Sequence, residues 1–269
     1  MTSIDSHYSQ SLQSEKIISR LNTAYPDGPN LYHLAPIDQL HIGGIKASEK
    51  LSQRLIDFKA SKVLDIGSGL GGLLRVCKNH YPAFYVGLDI THKLNKINRQ
   101  LNKLHDKSSP SMIVTGNGQQ LPFADQSFDL IILQHSLLNM PDKISALKEC
   151  QRILIPGGHI ILHEVLTGNH HETMQFPVPW ARHPALSHLI STRDMNDLVN
   201  STSLTIRSME DWTAEALSWR NRQTNKQKKP QTPVVSPSMI LGSEFTLMGK
   251  NVQRNLENDA IRIVEWVLS

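Results

Sequence analysis

Cysteine is scarce in this chain: Cys77 and Cys150 are the two among 269 residues. They lie far apart, both inside helical patterns, and make neither a disulfide framework nor a zinc spacing. Reduced thiols and a cytoplasmic setting are the expectation. No apolar run approaches the roughly 20 residues of a membrane span, so no membrane partner is expected. The first residues, Met1-Thr-Ser-Ile-Asp-Ser-His7, lack a basic stretch followed by an apolar one, and no secretory signal is expected there. Charge of one sign is lacking too. Lys and Arg number 28 against 24 Asp and Glu, a net of +4, which is not the balance of a nucleic-acid binder. Internal repeats are absent. His170 and His171 are adjacent and have no further ligands at suitable spacing, so no metal site is expected. What remains is a globular chain, long enough for one large domain or a domain with a cap.

From about residue 46 to 208, strand-like apolar runs alternate with helical patterns. The strands read as Lys62–Ile66, Phe84–Leu88, Met112–Thr115, Leu130–Gln134, His159–Val165 and Leu204–Ser208. Helices cover about 46–58, 71–80, 91–105, 142–154 and 193–200, and Pro156-Gly157-Gly158 marks the turn into the fifth strand. Strands separated by helices imply a parallel sheet covered on both faces. Ile261–Leu268 reads as a seventh strand, with a helix through 243–268 as the alternative. The expected architecture is α/β: a seven-stranded, mostly parallel, Rossmann-like sheet under a helical and loop cap. Residues 1–45 form a lid segment, 46–208 the core with an inserted cap at 167–190, and 209–269 C-terminal helices with the last strand. The polar stretch Asn221–Pro230, with Arg222, Lys226, Lys228 and Lys229, reads as a solvated loop.

In Lys62-Val-Leu-Asp-Ile-Gly-Ser-Gly-Leu-Gly-Gly72 a buried strand runs into a glycine turn and a helix. Gly67, Gly69 and Gly72 fit G-x-G-x-x-G, whose glycines let backbone approach a ligand closely. Asp65, two residues before the first glycine, narrows the ligand. A carboxylate there repels a pyrophosphate, but suits S-adenosylmethionine (SAM), which carries a sulfonium and an ammonium. Open α/β sheets bind ligands beyond the carboxyl ends of their strands, and each strand end offers something suitable. Asp65 can meet the ammonium, and Gly67, Ser68 and Gly69 can pass the methionyl chain. Asp89 can accept from both ribose hydroxyls, and Ile90 can lie on adenine. Asn117, Gly118 and Gln119 follow the third strand, where the Asn oxygen can accept from the adenine amine. Gln134, His135 and Ser136 cap the fourth strand near the sulfonium. Singly, each has a plain alternative: Asp65 a helix cap, Asp89 a partner for Thr91, Asn117-Gly118 a turn. The ordered series favours the ligand.

Val63-Leu-Asp-Ile-Gly-Ser-Gly69, Gly87-Leu-Asp-Ile90, Leu121-Pro-Phe-Ala-Asp-Gln-Ser-Phe-Asp129 and Leu154-Ile-Pro-Gly-Gly158 resemble the motif series of class I SAM-dependent methyltransferases. Asn117 departs from the Asp more usual there, but keeps the acceptor. A narrower resemblance, to glycine/sarcosine/dimethylglycine N-methyltransferase-like enzymes, rests on four further segments. These are Leu34-Ala-Pro-Ile-Asp-Gln-Leu-His-Ile-Gly-Gly44, Gln134-His-Ser-Leu-Leu-Asn-Met-Pro-Asp-Lys143, Phe176-Pro-Val-Pro-Trp180 and Gly249-Lys-Asn-Val-Gln-Arg-Asn-Leu256. They lie outside the cofactor motifs and bear on substrate. The resemblance implies that the N-terminal segment closes over the cofactor.

Methyl transfer mainly asks the protein to position a nucleophile and exclude water. Asn139 is the expected catalytic positioning group, with His135 as a candidate base or, alternatively, a structural histidine. The expected substrate-binding residues are Gln39, His41, Asn139, Met140, His163, Trp180 and Arg182. Met140 should face the methyl group, an aromatic such as Trp180 can hold an ammonium, and Arg182 can fork onto a carboxylate. Trp180 can instead pack the cap onto the sheet, and Asp38 or His41 can simply cap the next helix. The expected activity is methyl transfer to a small-molecule amine or amino acid nitrogen. One alternative is a SAM-utilising cyclase that alkylates the methionyl amine and releases methylthioadenosine. Another is a nucleic-acid or protein methyltransferase. Against the latter, Gln134-His-Ser-Leu stands where adenine-N6 enzymes carry Asn/Asp-Pro-Pro-aromatic.

Overall fold

The computed structural model describes residues 11–106, 111–226 and 233–269. Lys226 (as to its side chain), Lys228 and Lys229 of the polar stretch, and the first ten residues of the expected lid, lie outside what it describes. The core is a seven-stranded sheet in the order β3-β2-β1-β4-β5-β7-β6. Its strands are β1 (Lys62–Ile66), β2 (Phe84–Asp89), β3 (Met112–Thr115), β4 (Phe128–Gln134), β5 (Leu154–Thr167), β6 (Ile206–Asp211) and β7 (Ile261–Leu268). β7 runs antiparallel to β5 and β6, and the other pairings are parallel. The expected architecture is thus borne out, and the helical alternative for 261–268 falls.

Chain order reverses between β1 and β4, the switch point where such sheets bind ligands. The central strands carry apolar residues on both faces because helices cover both. On one face lie α3 (Gly44–Phe58), α4 (Gly72–His80), α8 (Thr213–Lys226) and α10 (Phe245–Glu257). On the other lie α6 (Lys143–Ile153) and α7 (Thr192–Asn200). α3 buries Ala47, Ser48, Leu51, Ser52 and Leu55, a stripe at helical spacing. A third apolar cluster joins α1 (Ser14–Ala24) and α2 (Leu31–Asp38) to α5 (His92–His105) and to α9 (Ser238–Leu241). Residues before the sheet and residues near the C-terminus therefore close over the glycine loop together.

β2 ends one residue later and β4 begins two residues earlier than expected, and the bounds of two further strands differ more. The fifth strand begins at Leu154, not His159, because Pro156-Gly157-Gly158 is a bulge within it: pairing shifts between Phe128 and Leu130, and Gly157 takes φ of 79°. The sixth runs over Ile206–Asp211; Leu204 ahead of it packs under the sheet. Its mostly exposed residues, an edge strand's pattern, hide its extent from a reading based on apolar runs.

Candidate active site

Beyond the carboxyl ends of β1, β2 and β3 lies a cavity of about 420 Å3. It is bordered by Gly67, Gly69, Asp89, Ile90, Asn117, Gly118, Gln119 and His135. A volume in the range of small-molecule pockets, roughly 300–1,000 Å3, suits a nucleoside. Asp89 Oδ2 accepts from the Gly69 N–H at 2.9 Å and Oδ1 from the Thr91 N–H at 2.8 Å. A carboxylate has about four acceptor positions, so both oxygens can still take a hydroxyl. Asn117 Oδ1 accepts from the Gln119 N–H at 2.9 Å, which fixes the turn. Ile90 is 45% exposed, an uncovered apolar face at the cavity.

The glycine loop is built for close approach. Gly67 takes φ of 81°, and a Cβ there would lie 2.3 Å from Ser136 Cβ. At Gly69 the Cβ direction is open, with nothing within 4 Å. That is the space a ligand chain would fill.

A smaller cavity of about 150 Å3 adjoins the loop on its other side. Asp65, Ser68, Gln134, His135, His41 and Trp180 line it, with Asp38, Leu138 and Ile240. Asp65 is 3% exposed; burial, with the Asp89 charge adding, pushes its carboxyl up to about 8. A buried carboxyl raised this far calls for a cation. The two cavities meet at Gly67, Gly69 and His135. Carboxyl, glycine cradle and nucleoside-sized cavity fit the ammonium, methionyl chain and adenosine of SAM in that order.

His135 sits where both cavities meet. Its φ of 52° is uncommon for a side-chain-bearing residue, and its Nε2 is buried without a hydrogen-bond partner among the described residues. Its ring is edge-on to His41, 5.9 Å between centroids, and stacks on His163 at 5.0 Å. Burial lowers His41 to about 4 and holds His135 and His163 neutral. Gln39 is buried and accepts from Ser48 Oγ at 2.7 Å. Gln134 Oε1 lies 3.5 Å from that hydroxyl, and its Nε2 is unpartnered among the described residues.

Not every expected substrate residue is where the sequence reading put it. Met140 lines the larger cavity, and a Cβ on Gly118 would come within 2.7 Å of its Cε. Asn139 also borders the larger cavity. Arg182 is no open fork: its guanidinium pairs with Glu244, just ahead of α10. Trp180 is 6% exposed and belongs to the core, but its edge reaches the small cavity. His41 takes no N-cap role; its ring contacts the Gly44 carbonyl at 3.0 Å. Asp38 instead pairs with Arg75 at 2.8 Å, and Arg75 also donates to Asn98, Asn102 and the Leu70 carbonyl. The Gly249–Leu256 segment is scaffolding: Asn251 donates to the Pro177 carbonyl at 3.0 Å, and Asn255 clasps Gln175 on both sides of its backbone.

Two contributors have no role in the sequence expectations, although these put Glu164 beside His163 near the end of the fifth strand, at the ligand edge. Ile240 reaches the small cavity from nearly the far end of the chain, and no local signal marks it. Glu164, 1% exposed, accepts from the backbone N–H groups of Ser136, Leu137 and Leu138 at 2.8–3.2 Å. Its signal was readable: a carboxylate inside an apolar central strand needs buried partners.

Residues 64–162 match the protein family described as methyltransferase domain. The chain carries a class I SAM-dependent methyltransferase domain. A sarcosine/dimethylglycine N-methyltransferase from Aphanothece halophytica is 26% identical over 145 residues, 53% of this chain and 52% of that protein. The chain matches only about half the length of such curated relatives. A structure from Galdieria sulphuraria, ascribed to a sarcosine dimethylglycine methyltransferase, superposes with a TM-score of 0.66 at 18% identity, over 83% of this chain and 85% of that one. Geranyl diphosphate C-methyltransferase from Streptomyces coelicolor superposes at 0.67 and 12% identity, over 98% and 96%. At these identities the likeness is one of fold. The cofactor of the domain is S-adenosyl-L-methionine.

Proposed function

We propose that this chain is a SAM-dependent methyltransferase that modifies a small molecule at an amine or amino acid nitrogen. The observation that carries the reading is Asp65: a buried carboxyl raised to about 8, beside an open glycine cradle and a nucleoside-sized cavity. The resemblance to sarcosine/dimethylglycine N-methyltransferases supports nitrogen as the acceptor. Bound SAM would supply an electrophilic methyl on sulfonium to the acceptor's lone pair, sulfur keeping the electron pair of the broken carbon–sulfur bond and the amine proton leaving to water. The chain's residues bind, orient and exclude water. Asp65 holds the ammonium, Asp89 the ribose, and Asn117, Gly118 and Gln119 the base edge. Glu164 fixes the turn carrying Asn139, whose amide orients the incoming nitrogen. Residues 11–45, 167–190 and α9 act as a cap, which should gain hydrogen-exchange protection when SAM and acceptor bind. The buried, unpaired Cys77 and Cys150 suit a cytoplasmic setting.

The test is product analysis by mass spectrometry, with SAM and a panel of amines and amino acids. S-adenosylhomocysteine with a methylated amine is expected. Methylthioadenosine would mean intramolecular cyclisation of SAM instead, and no SAM binding by calorimetry would remove both readings.

A further inference from the structure

A second cavity, slightly larger than the nucleoside one, plays no part in the reading above. It measures about 440 Å3, against about 420 Å3. It lies between the start of α3 and the first turns of α8, above β5 and β7, with Ile42, Ala47, Trp212, Ala216, Trp219 and Ile263 as its walls. The sequence makes room for one of these walls. Gly44 takes φ of 54°, and a Cβ there would lie 2.9 Å from Trp219 Cζ2.

The cavity is apolar but has two polar features. At its floor is His163, fully buried, with neither Nδ1 nor Nε2 hydrogen-bonded among the described residues. An imidazole taken out of water with both nitrogens unmet is costly unless a ligand meets one of them. At its mouth are Lys46, Lys50, Arg222 and Glu215. Lys46 is paired with Glu49, and Lys50 with Glu210 and Glu215 while it sits 3.7 Å above the Trp212 ring. Arg222 donates to Ser218 Oγ at 2.8 Å and makes no ion pair among the described residues. Among the described residues the mouth therefore presents a guanidinium without a carboxylate partner, which suits an acidic group.

Two stacked rings stand between the cavity and the cofactor site. His163 stacks on His135 at 5.0 Å on one side and packs on Trp212 at 4.5 Å on the other. His135 borders both cofactor cavities. The His163–His135 stack thus lies between the second cavity and the cofactor site, and the His135 ring takes a long hydrogen bond from the Ile42 N–H to its Nδ1 at 3.4 Å.

We infer that this cavity holds the methyl acceptor, and that the acceptor is an amine bearing a ring-sized apolar body and an acidic group. The inference rests on the methyltransferase reading and goes beyond it by naming a substrate class. The body lies against Trp212 and Trp219, the acid meets Arg222, and the amine end reaches His163 and displaces the His135 ring toward the cofactor side. A glycine-sized acceptor would leave the cavity unfilled.

The test needs no turnover. Tryptophan fluorescence of the full chain is titrated with four probes: sarcosine, phenethylamine, 3-phenylpropionate and phenylalanine. Phenylalanine should quench at a concentration at least about tenfold below sarcosine, with the two one-handed probes between. Ala214→Phe, at an exposed mouth position on α8, should weaken phenylalanine at least about tenfold and leave the SAM dissociation constant unchanged by calorimetry. Arg222→Gln should weaken 3-phenylpropionate and phenylalanine and leave phenethylamine unchanged. Phenylalanine binding no tighter than sarcosine, or unaltered in Ala214→Phe, overturns the inference while SAM binding stands. Loss of SAM binding in the unaltered chain would instead strike the methyltransferase reading.

Discussion

The two halves of the ligand edge are assembled in different ways. On the β3-β2-β1 side the groups that line the two cofactor cavities sit at the end of a strand or within a few residues after it. Asp65 is in β1, Gly67 and Gly69 follow it, Asp89 closes β2, and Asn117 to Gln119 come directly after β3. On the β5-β7-β6 side the walls come from α2, α3, the inserted segment, α8 and α9, and contacts span most of the chain. The Arg54–Glu265 bond joins residues 211 apart. The first half is local chemistry repeated at successive strand ends. The second is tertiary packing of insertions, and substitutions should expose the difference.

The largest effect is expected at Asp65. Its folded-state carboxyl stands at about 8 against an ordinary 3.8. A raised folded pKa favours the protonated native state. That contribution is therefore full below about pH 4 and lost as pH rises toward 8 in the free protein. A bound ammonium reverses the preference, so SAM binding near neutral pH should release a proton, and affinity should climb toward pH 8. Calorimetry in two buffers of different ionisation heat should read this release. Asp65→Asn should abolish it and weaken SAM by about 3 kcal/mol, the scale of a broken buried pair. Binding of SAM with no buffer dependence would break the cofactor half of the comparison.

Asp89→Ala comes next, at about 1.5–3 kcal/mol of SAM affinity. Part of that loss is organisational, because Asp89 also takes the Gly69 and Thr91 N–H groups. An equal loss for a ribose-lacking analogue would show that the loop alone accounts for the effect.

Glu164→Gln probes the seam between the halves. Gln keeps one acceptor oxygen where the carboxylate serves three N–H groups, so roughly 1–3 kcal/mol of stability should go. Exchange at Ser136 to Asn139 should quicken. Burial pushes Glu164 up to about 7, so its stabilising share is present below about pH 4.5 and lost as pH rises through 7. Thermal melts of the Gln variant should show a flatter slope across that window.

How much was legible in the sequence follows the same division. The strand runs, the existence of a seventh strand and the glycine turn were readable because each is marked by residues close together in the sequence, whereas the strand order and the antiparallel sense of β7 arise from pairing between distant segments. Arg182 was misread because its partner, Glu244, lies in a helical insertion 62 residues on, with no periodic or spacing signal linking them. The asparagines of Gly249–Leu256 resemble a substrate motif in the sequence, yet bond to the backbone of the Phe176–Trp180 insert. A pattern shared across a family records a packed surface as readily as a ligand contact.

The smallest effect is expected at Arg182, and it decides whether the second half has been placed correctly. The Arg182–Glu244 pair is about 35% and 43% exposed on its two side chains. Solvent screens such a pair, and its contribution to stability should be at most about 1 kcal/mol. Arg182→Ala should therefore lower the melting temperature only slightly. A guanidinium already neutralised by a carboxylate offers little to a second acid. KM for an acidic acceptor should stay within a few-fold, whereas loss of a true bidentate fork costs about tenfold or more for each 1.4 kcal/mol removed. Glu244→Gln supplies the opposite arm. If Arg182 waits to be released onto substrate, freeing it should lower KM for acids and leave amines without an acid unchanged. If it is a brace between the insert and α10, Glu244→Gln should shift stability alone. A fall in KM confined to acidic acceptors would move the carboxylate site from the mouth of the Trp212–Trp219 cavity back to the cap.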